Sequence, residues 1–400
     1  MDVAVRRIVC GALCLYLLGC DRDTMKPEPQ PADTITAAPA GFFTALSAGY
    51  YHACGLTPSG AVYCWGWANG IFGGSDPEHE AAHRPMRETE VAGFDTLSSG
   101  AGMLCGIADS ETMCWGVNEF GELGIEDPSQ VCGSLPCNPA PTPVAASATF
   151  RQVAAGGGHT CAVDVAGVAY CWGYGAYGRL GIEQNTNQRT PVVVNTDLRF
   201  QVVAAAGTHS CGLALDGGAY CWGYGEGGQI GHGFSTTAQT TPARVAGGHT
   251  FSQLASGGAH NCALRLDGAA YCWGVNAEGQ LGNGTTSNSN VPVRAGTLPF
   301  VSVTVGGSHS CAIAASGQGY CWGDNTEGQL GDGTLIDRSV PTPIATQLRF
   351  TQITAGYHFT CGLTTADTAV CWGLNYRGSL GTGLEELRAT TPQRVAAPLP

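Results

Sequence analysis

The tripeptide Cys-Trp-Gly occurs seven times in this 400-residue chain, with its cysteine at Cys64, Cys114, Cys171, Cys221, Cys272, Cys321 and Cys371. The successive intervals are 50, 57, 50, 51, 49 and 50 residues. A repeat this regular confines the chain to architectures in which one supersecondary unit is copied and stacked. Each unit opens with Phe-x-x-apolar, as in Phe150 to Val153 and Phe200 to Val203, and continues through a short glycine-rich stretch into a Cys-x-apolar strand such as Cys211-Gly212-Leu213. A turn follows, often Asp-Gly, and then a second strand, Tyr220-Cys221-Trp222-Gly223 in the fourth unit. The chain next enters a loop ending in Gly-Gln-Leu-Gly (Gly279 to Gly282, Gly328 to Gly331), and a last strand starts near a proline, as at Pro191.

These are short alternating strands with glycine turns between them and no helical periodicity of useful length. Four strands in about 50 residues is the size of a propeller blade. Seven blades need about 350 residues on that basis, and Phe42 to Pro400 supplies 359. The prediction is an all-β chain forming a single seven-bladed β-propeller over residues 42–400. The first unit has no proline strand before it, and the last ends in Pro392-Gln393-Arg394-Val395 with no blade after it. The ring is therefore expected to close by the C-terminal strand joining the first blade.

The segment before the repeat sets an expectation for compartment. Arg6 and Arg7 precede an apolar run from Ile8 to Leu18 that is too short to span a bilayer and suits a signal peptide. Leu17-Leu18-Gly19-Cys20 resembles a bacterial lipobox, so residues 1–19 read as a lipoprotein-type signal peptide and Cys20 as the lipidated residue. Residues 20–41 carry Pro27, Pro29, Pro31 and Pro39 and read as a proline-rich tether. The expected location is the bacterial cell envelope, lipid-anchored on the extracytoplasmic side. The net charge of −13 and a single lysine, Lys26, speak against a phosphate-binding surface and so against nucleic acid.

Nineteen cysteines divide into Cys10, Cys14 and Cys20 near the N-terminus, two in every repeat, and Cys132 and Cys137 in the insertion that lengthens the second interval. Repeat cysteines ten residues apart (nine in the second unit) on adjacent hairpin strands lie nearly opposite, with Cα atoms about 4.5–5.5 Å apart, within disulfide range. Metal ligation and buried free thiols are the alternatives, and the export signal favours oxidation. The expected bridges are Cys54–Cys64, Cys105–Cys114, Cys161–Cys171, Cys211–Cys221, Cys262–Cys272, Cys311–Cys321 and Cys361–Cys371, with Cys132–Cys137 as an eighth.

Units such as Gly258-Ala259-His260-Asn261-Cys262-Ala263-Leu264, followed by Asp267 onward to Trp273-Gly274-Val275-Asn276 and Gly279-Gln280-Leu281-Gly282, resemble the regulator of chromosome condensation repeats. The resemblance runs through all seven units, with local departures at Met103 and Phe359 in the histidine column. It implies a seven-bladed propeller. It also brings in nucleotide exchange on a small GTPase bound to chromatin, which the export signal, paired cysteines and acidic charge oppose.

Two motifs carry a sharper chemistry and a plainer one. His79-Glu80-Ala81-Ala82-His83 formally matches a zinc-protease helix, but Pro85 would stop that helix and His83-Arg84-Pro85 aligns with a proline strand of the repeat. His52, His159, His209, His260 and His309 share one repeat column, where hydrogen bonding within the blade is the plainer role. No catalytic constellation, metal site or cofactor site is expected. The loops after Trp-Gly vary in the middle and all fall on one face of the disc, displaying Trp67, Phe72, Glu119, Phe120, Tyr174, Tyr177, Tyr224, Glu226, Glu278, Glu327, Tyr376 and Arg377. Aromatics with a few charges on one surface suit recognition of a protein or an envelope component. The expected function is a tethered, monomeric protein-binding or scaffold module, with a glycan-binding lectin or cryptic enzyme in the central channel as the alternative.

Overall fold

A computed structural model describes residues 36–67, 81–126, 130–132 and 134–398. The signal segment, Cys10, Cys14, Cys20 and residues 20–35 of the tether lie outside the described residues, as do Phe72, His79 and Glu80. The described chain is all β, arranged as seven antiparallel sheets in chain order, six of four strands and one of five. The first blade runs Ala45–Ala48, His52–Leu56, Val62–Trp67 and Ala81–Arg87. The histidine-containing 79–83 segment thus ends in a strand, as its alignment with the repeat implies. The second blade gains a fifth strand, because its insertion forms a hairpin of Gln130–Cys132 against Leu135–Pro143.

Alternation along the paired inner strands gives each blade two different faces. In the fourth blade, Cys211 and Cys221 are directly opposite, as are Leu213 and Ala219, and they share one face. That face packs on Phe251, Leu254 and Trp273 of the fifth blade. Every Cys-Trp-Gly tryptophan is fully buried in such a contact. The glycine after it is equally constrained. At Gly223 φ is +110°, and a Cβ would sit 2.7 Å from the His209 Cα. The repeat cysteines are disulfide-bonded in all seven blades with Cα separations of 4.0–4.1 Å, and Cys132–Cys137 bridges the insertion hairpin at 5.7 Å.

Closure differs from the sequence expectation. The proline strand belongs to its own blade, so Arg388–Arg394 pairs with Ala369–Leu374 in the seventh blade and does not join the first. The reason is that the sequence unit and the blade share one frame, and the first blade receives its own outer strand from residues 81–87. The ring is sealed by other bonds. Gln352 of the seventh blade accepts from the Leu46 amide and donates to the Leu46 carbonyl at 2.9 and 2.8 Å. Ala37 bridges Ala396, and the Ala38 amide donates to the Val395 carbonyl, so residues 36–41, placed in the tether by composition, are tied to the propeller.

Around the axis, the loops between first and second strands form a closed hoop of seven backbone hydrogen bonds. Tyr50 donates to Gly100, Ala101 to Gly156, Gly157 to Ala206, Gly207 to Gly257, Gly258 to Gly306, Gly307 to Gly356, and Tyr357 back to Tyr50, at 3.0–3.3 Å. Such close approach needs small residues. A Cβ at Gly257 or Gly306 would collide with the carbonyl oxygen of the next loop.

The histidine column lies just outside this hoop and is structural. Nε2 of His159, His209, His260 and His309 meets Ser210, Asn261, Ser310 and Thr360 of the following blade at 2.7–2.9 Å. The serine and threonine hydroxyls donate onward to backbone carbonyls, so the imidazole Nε2 must be the donor. Nδ1 then carries only a lone pair and has no partner. In the first blade the next unit offers Leu104 in place of a hydroxyl, and neither nitrogen of His52 is bonded. Burial lowers the pKa of His52, His209 and His309 to about 4, of His260 to about 3, and of His159 well below its ordinary value.

This arrangement makes stability acid-sensitive in a definite direction. All five imidazoles are neutral in the folded state and protonate near pH 6.5 once exposed. Their contribution is intact above that pH and is lost as pH falls toward 4. Burial also raises Glu122 to about 7 and raises Glu88, which opposes the effect because these carboxyls hold protons in the folded state. Five imidazoles against two carboxyls leave the unfolded chain with about three extra protons near pH 5.5, a slope of about 4 kcal/mol per pH unit. Urea unfolding of the disulfide-intact protein between pH 4 and 7.5 should show that steep loss. A flat profile would contradict the buried neutral assignment.

Candidate recognition face

The loop face is built from two sets of loops per blade: the axial hoop loops and the Trp-Gly loops outside them. The second set is held from below by a recurrent bond. In the fifth and sixth blades the glutamine of Gly-Gln-Leu-Gly accepts from the amide two residues earlier, Gln280 from Glu278 at 3.0 Å and Gln329 from Glu327 at 2.9 Å. In the second blade Glu122 takes the same place and accepts from Phe120 at 2.7 Å. These bonds fix where the variable residue points.

The structure gathers the predicted loop residues into two clusters. The first spans the second to fourth blades. Phe120 and Tyr174 stack at 4.4 Å, Arg179 lies 4.5 Å over the Tyr174 ring and 5.8 Å from Tyr177, and Tyr177 meets Tyr224 at 5.2 Å. The Tyr224 hydroxyl donates to Glu226 at 2.7 Å. The second cluster joins the first and seventh blades. Trp67, Tyr51 and Tyr376 contact one another with ring centroids 5.4–6.0 Å apart, and Arg377 lies 5.5 Å over Trp67. Glu327 of the sixth blade borders this second cluster. Glu119 is exposed and belongs to neither cluster. Glu278 sits instead in an acidic sector, where burial and then Asp337 raise its pKa.

Several residues of the face were not anticipated. Tyr50, Tyr51, Tyr357 and His358 come from the axial loops, and Arg179 is a buried arginine in the glutamine column. The signal for all five is departure from the repeat: the third unit has Gly157-Gly158 where the first has Tyr50-Tyr51. Tyr50 stacks on Tyr357 at 4.9 Å, and its hydroxyl lies over Gly157 and Gly207 on the far side of the axis. Burial, then Tyr357, push its pKa up to about 12. Arg179 donates to the Gly207 carbonyl at 3.0 Å and to the Ala176 carbonyl at 3.0 Å, and among the described residues no carboxylate pairs with it. Burial lowers its pKa, and the neighbouring tyrosines oppose that shift. Tyr50 and Tyr357 thus stand between the two clusters at the axial funnel, whose space of about 80 Å³ is otherwise lined by glycine, alanine, Ser99, Ser256 and Val305. Among the described residues, no group of three or more His, Cys, Asp or Glu side chains is placed to hold a metal ion.

A seven-bladed ring held by Gly-Gln-Leu-Gly loops defines the class of propeller. The RCC1-like domain is matched over residues 8–298, and the regulator of chromosome condensation (RCC1) repeat over residues 316–363, with a second form of that repeat at 300–329 and 350–379. The chain belongs to this family. It is 29% identical over 276 residues to the ultraviolet-B receptor UVR8 of Arabidopsis thaliana, covering 67% of this chain and 61% of the receptor. It is 29% identical over 191 residues to the probable E3 ubiquitin-protein ligase HERC4 of Rattus norvegicus, covering 46% of this chain and 17% of the ligase. The matched region thus spans less than two thirds of either relative. Among solved structures, Kap60 bound to yeast RCC1 (Prp20) aligns with a TM-score of 0.73 at 20% identity, covering 95% of this chain and 91% of that chain. Human WBSCR16 aligns with a TM-score of 0.72 at 21% identity, covering 81% and 87%. At these identities the structural likeness concerns the fold.

Backbone strain marks both clusters. Tyr177 and Arg377 occupy equivalent loop positions with φ of +63° and +50°, a region costly for residues with a Cβ. Both Arg377→Gly and Arg377→Ala lose the contact over Trp67, but only glycine escapes that cost, so Arg377→Gly should be more stable to unfolding than Arg377→Ala by about 1 kcal/mol. Urea denaturation of the two variants checks the pair.

Proposed function

We propose that this chain is a membrane-tethered, extracytoplasmic propeller that binds a protein partner through its loop face. The observation that carries this reading is the pair of aromatic and arginine clusters on one face, with Tyr50 and Tyr357 between them at the axis and strained backbone in both. Aromatic and arginine side chains dominate the energetics of protein interfaces. Relatives supply support of the same kind. The structure of Prp20p from Saccharomyces cerevisiae concerns its binding to Gsp1p and histones, and yeast RCC1 has been solved bound to Kap60.

The location is part of the proposal. The lipobox-like Leu17-Leu18-Gly19-Cys20 and the proline-rich residues after it would hold the propeller just off an envelope membrane as a monomer. Eight disulfides fit an oxidising compartment. Cys20→Ala should move the protein from the membrane to the soluble fraction; unchanged membrane association would remove the anchor.

Affinity capture of the oxidised, anchored protein beside a Phe120→Ala/Tyr177→Ala variant tests the face. A stoichiometric protein should be recovered, with affinity for the variant weaker by about 30-fold or more, the loss typical of truncated aromatic hot spots. A partner held equally by the variant would move the site away from these loops, and recovery of no protein would overturn the reading.

A further inference from the structure

We propose that the cleft where the sixth, seventh and first blades meet is a separate binding site for a neutral polyhydroxylated ring, of the hexopyranose class. The cleft encloses about 450 Å³ between Tyr51, Trp67, Thr326, Glu327, His358 and Tyr376, with Leu374 beneath. That volume lies within the ~300–1,000 Å³ of small-ligand sites. It is also several times larger than the axial funnel, and its lining carries more varied chemistry.

Three features define the occupant. One side is an aromatic wall, since Tyr376 packs edge to face on both Tyr51 and Trp67, which are themselves in tilted contact. Another is a set of polar groups. The Trp67 Nε1 donor is shielded from water and lacks a hydrogen-bond partner, and Glu327 Oε2 and His358 Nδ1 are shielded with only long partners. Glu327 has only a 3.4 Å ion pair with Arg388, and His358 only a 3.6 Å approach to Asp324. The last feature is charge. Carboxylates and guanidiniums border the cleft together, so neither sign of ligand charge is favoured.

Other ligand classes fit these features poorly. A cation needs room between aromatic faces, but these rings are too close together to admit one, and Arg377 already lies over Trp67 and Tyr376. An anion would meet Glu327. A wholly apolar group would leave the Trp67 donor buried without a partner, at a cost. A sugar ring offers an apolar C–H face to the aromatic wall and hydroxyls that both donate to Glu327 and accept from Trp67. Seating such a ring covers the wall and gives the unpaired Trp67 donor an acceptor at once.

The test is saturation-transfer NMR on the full, oxidised chain with chitotriose, maltotriose, cellotriose, mannotriose and lactose. At least one sugar should receive saturation, and its affinity should fall about tenfold in Glu327→Gln and in Trp67→Phe, the second of which keeps an aromatic ring but removes the donor. Unfolding midpoints of both variants, measured alongside, separate lost contacts from lost folding. No transfer to any of the five sugars overturns the proposal, as does binding that both folded variants retain in full. This site and the protein-binding reading fail separately. Capture of a protein dependent on Phe120 and Tyr177 with no sugar bound leaves only that reading standing. Sugar binding lost in the cleft variants with no protein captured leaves only this one.

Discussion

One backbone carbonyl in each of the second to seventh blades organises the ring. In the second, fourth, fifth and sixth blades the residue after the first glycine of the Gly-x-Leu/Ile-Gly turn presents its oxygen to the following blade, which answers with two donors, while Arg179 and Ser379 of the third and seventh receive one each, from Ser210 and Trp65. Gln280 accepts from Ser310 at 3.0 Å and from the Trp322 indole at 2.9 Å, and Gln329 accepts from Thr360 and Trp372 at 2.8 and 2.9 Å. The same hydroxyl accepts from the preceding blade's histidine, so a single node joins a loop, a buried indole and an imidazole. A blade has two apolar faces and is only four or five strands wide, so it cannot be stable until both are covered. The node fixes the register in which that covering occurs. Where it is complete, the node also gives the buried tryptophan N–H a partner, whose absence is costly in a dry interface; the Trp222 indole alone among the seven lacks one.

Seen from these nodes, departures from the repeat come in matched sets. Phe359 replaces histidine in the seventh blade and shares a core cluster with Ala53, the small residue that stands where the third to seventh blades carry a hydroxyl or amide. Met103 replaces histidine in the second blade, and the Thr160 hydroxyl lies 3.5 Å from its sulfur while donating to the Glu122 carbonyl at 2.7 Å. Trp115 donates to buried Glu88 and not to a loop carbonyl. His52 beside Leu104 is the place where the set is incomplete. The first and second blades, where the pattern is least regular, are also where the insertion attaches.

Fold class, blade count and cysteine pairing were legible because each rests on a local period. Ten-residue spacing across a tight hairpin leaves Cys211 and Cys221 little choice but to face each other, and seven copies of a four-strand unit imply a ring. Closure was not legible, because it depends on frame. A proline strand such as Pro392 to Val395 pairs equally well, as far as its own residues say, with the strand before it or with a blade across the seam. What decides is contact between residues some 300 positions apart, such as Gln352 with Leu46, and nothing local announces that contact.

The face obeys the same division. Trp67, Tyr174 and Tyr376 were visible because they stand in loops that the repeat leaves free. Tyr50, Tyr51, Tyr357 and Arg179 were hidden by standing in columns that other blades devote to structure. Those columns explain why they matter. A hoop loop sits within a few ångströms of the axis, so a tyrosine placed there in one blade reaches loops on the opposite side, as Tyr50 does over Gly157 and Gly207. A glutamine-column residue is held beneath its loop, so an arginine placed there, as at Arg179, brings a buried cation up against the rings of Tyr174 and Tyr177. The disulfides and inter-blade nodes keep the disc rigid without help from these positions. The chain can therefore replace glycine and glutamine there with larger side chains, and substitution within a structural column is what reshapes the face in a ring of this kind.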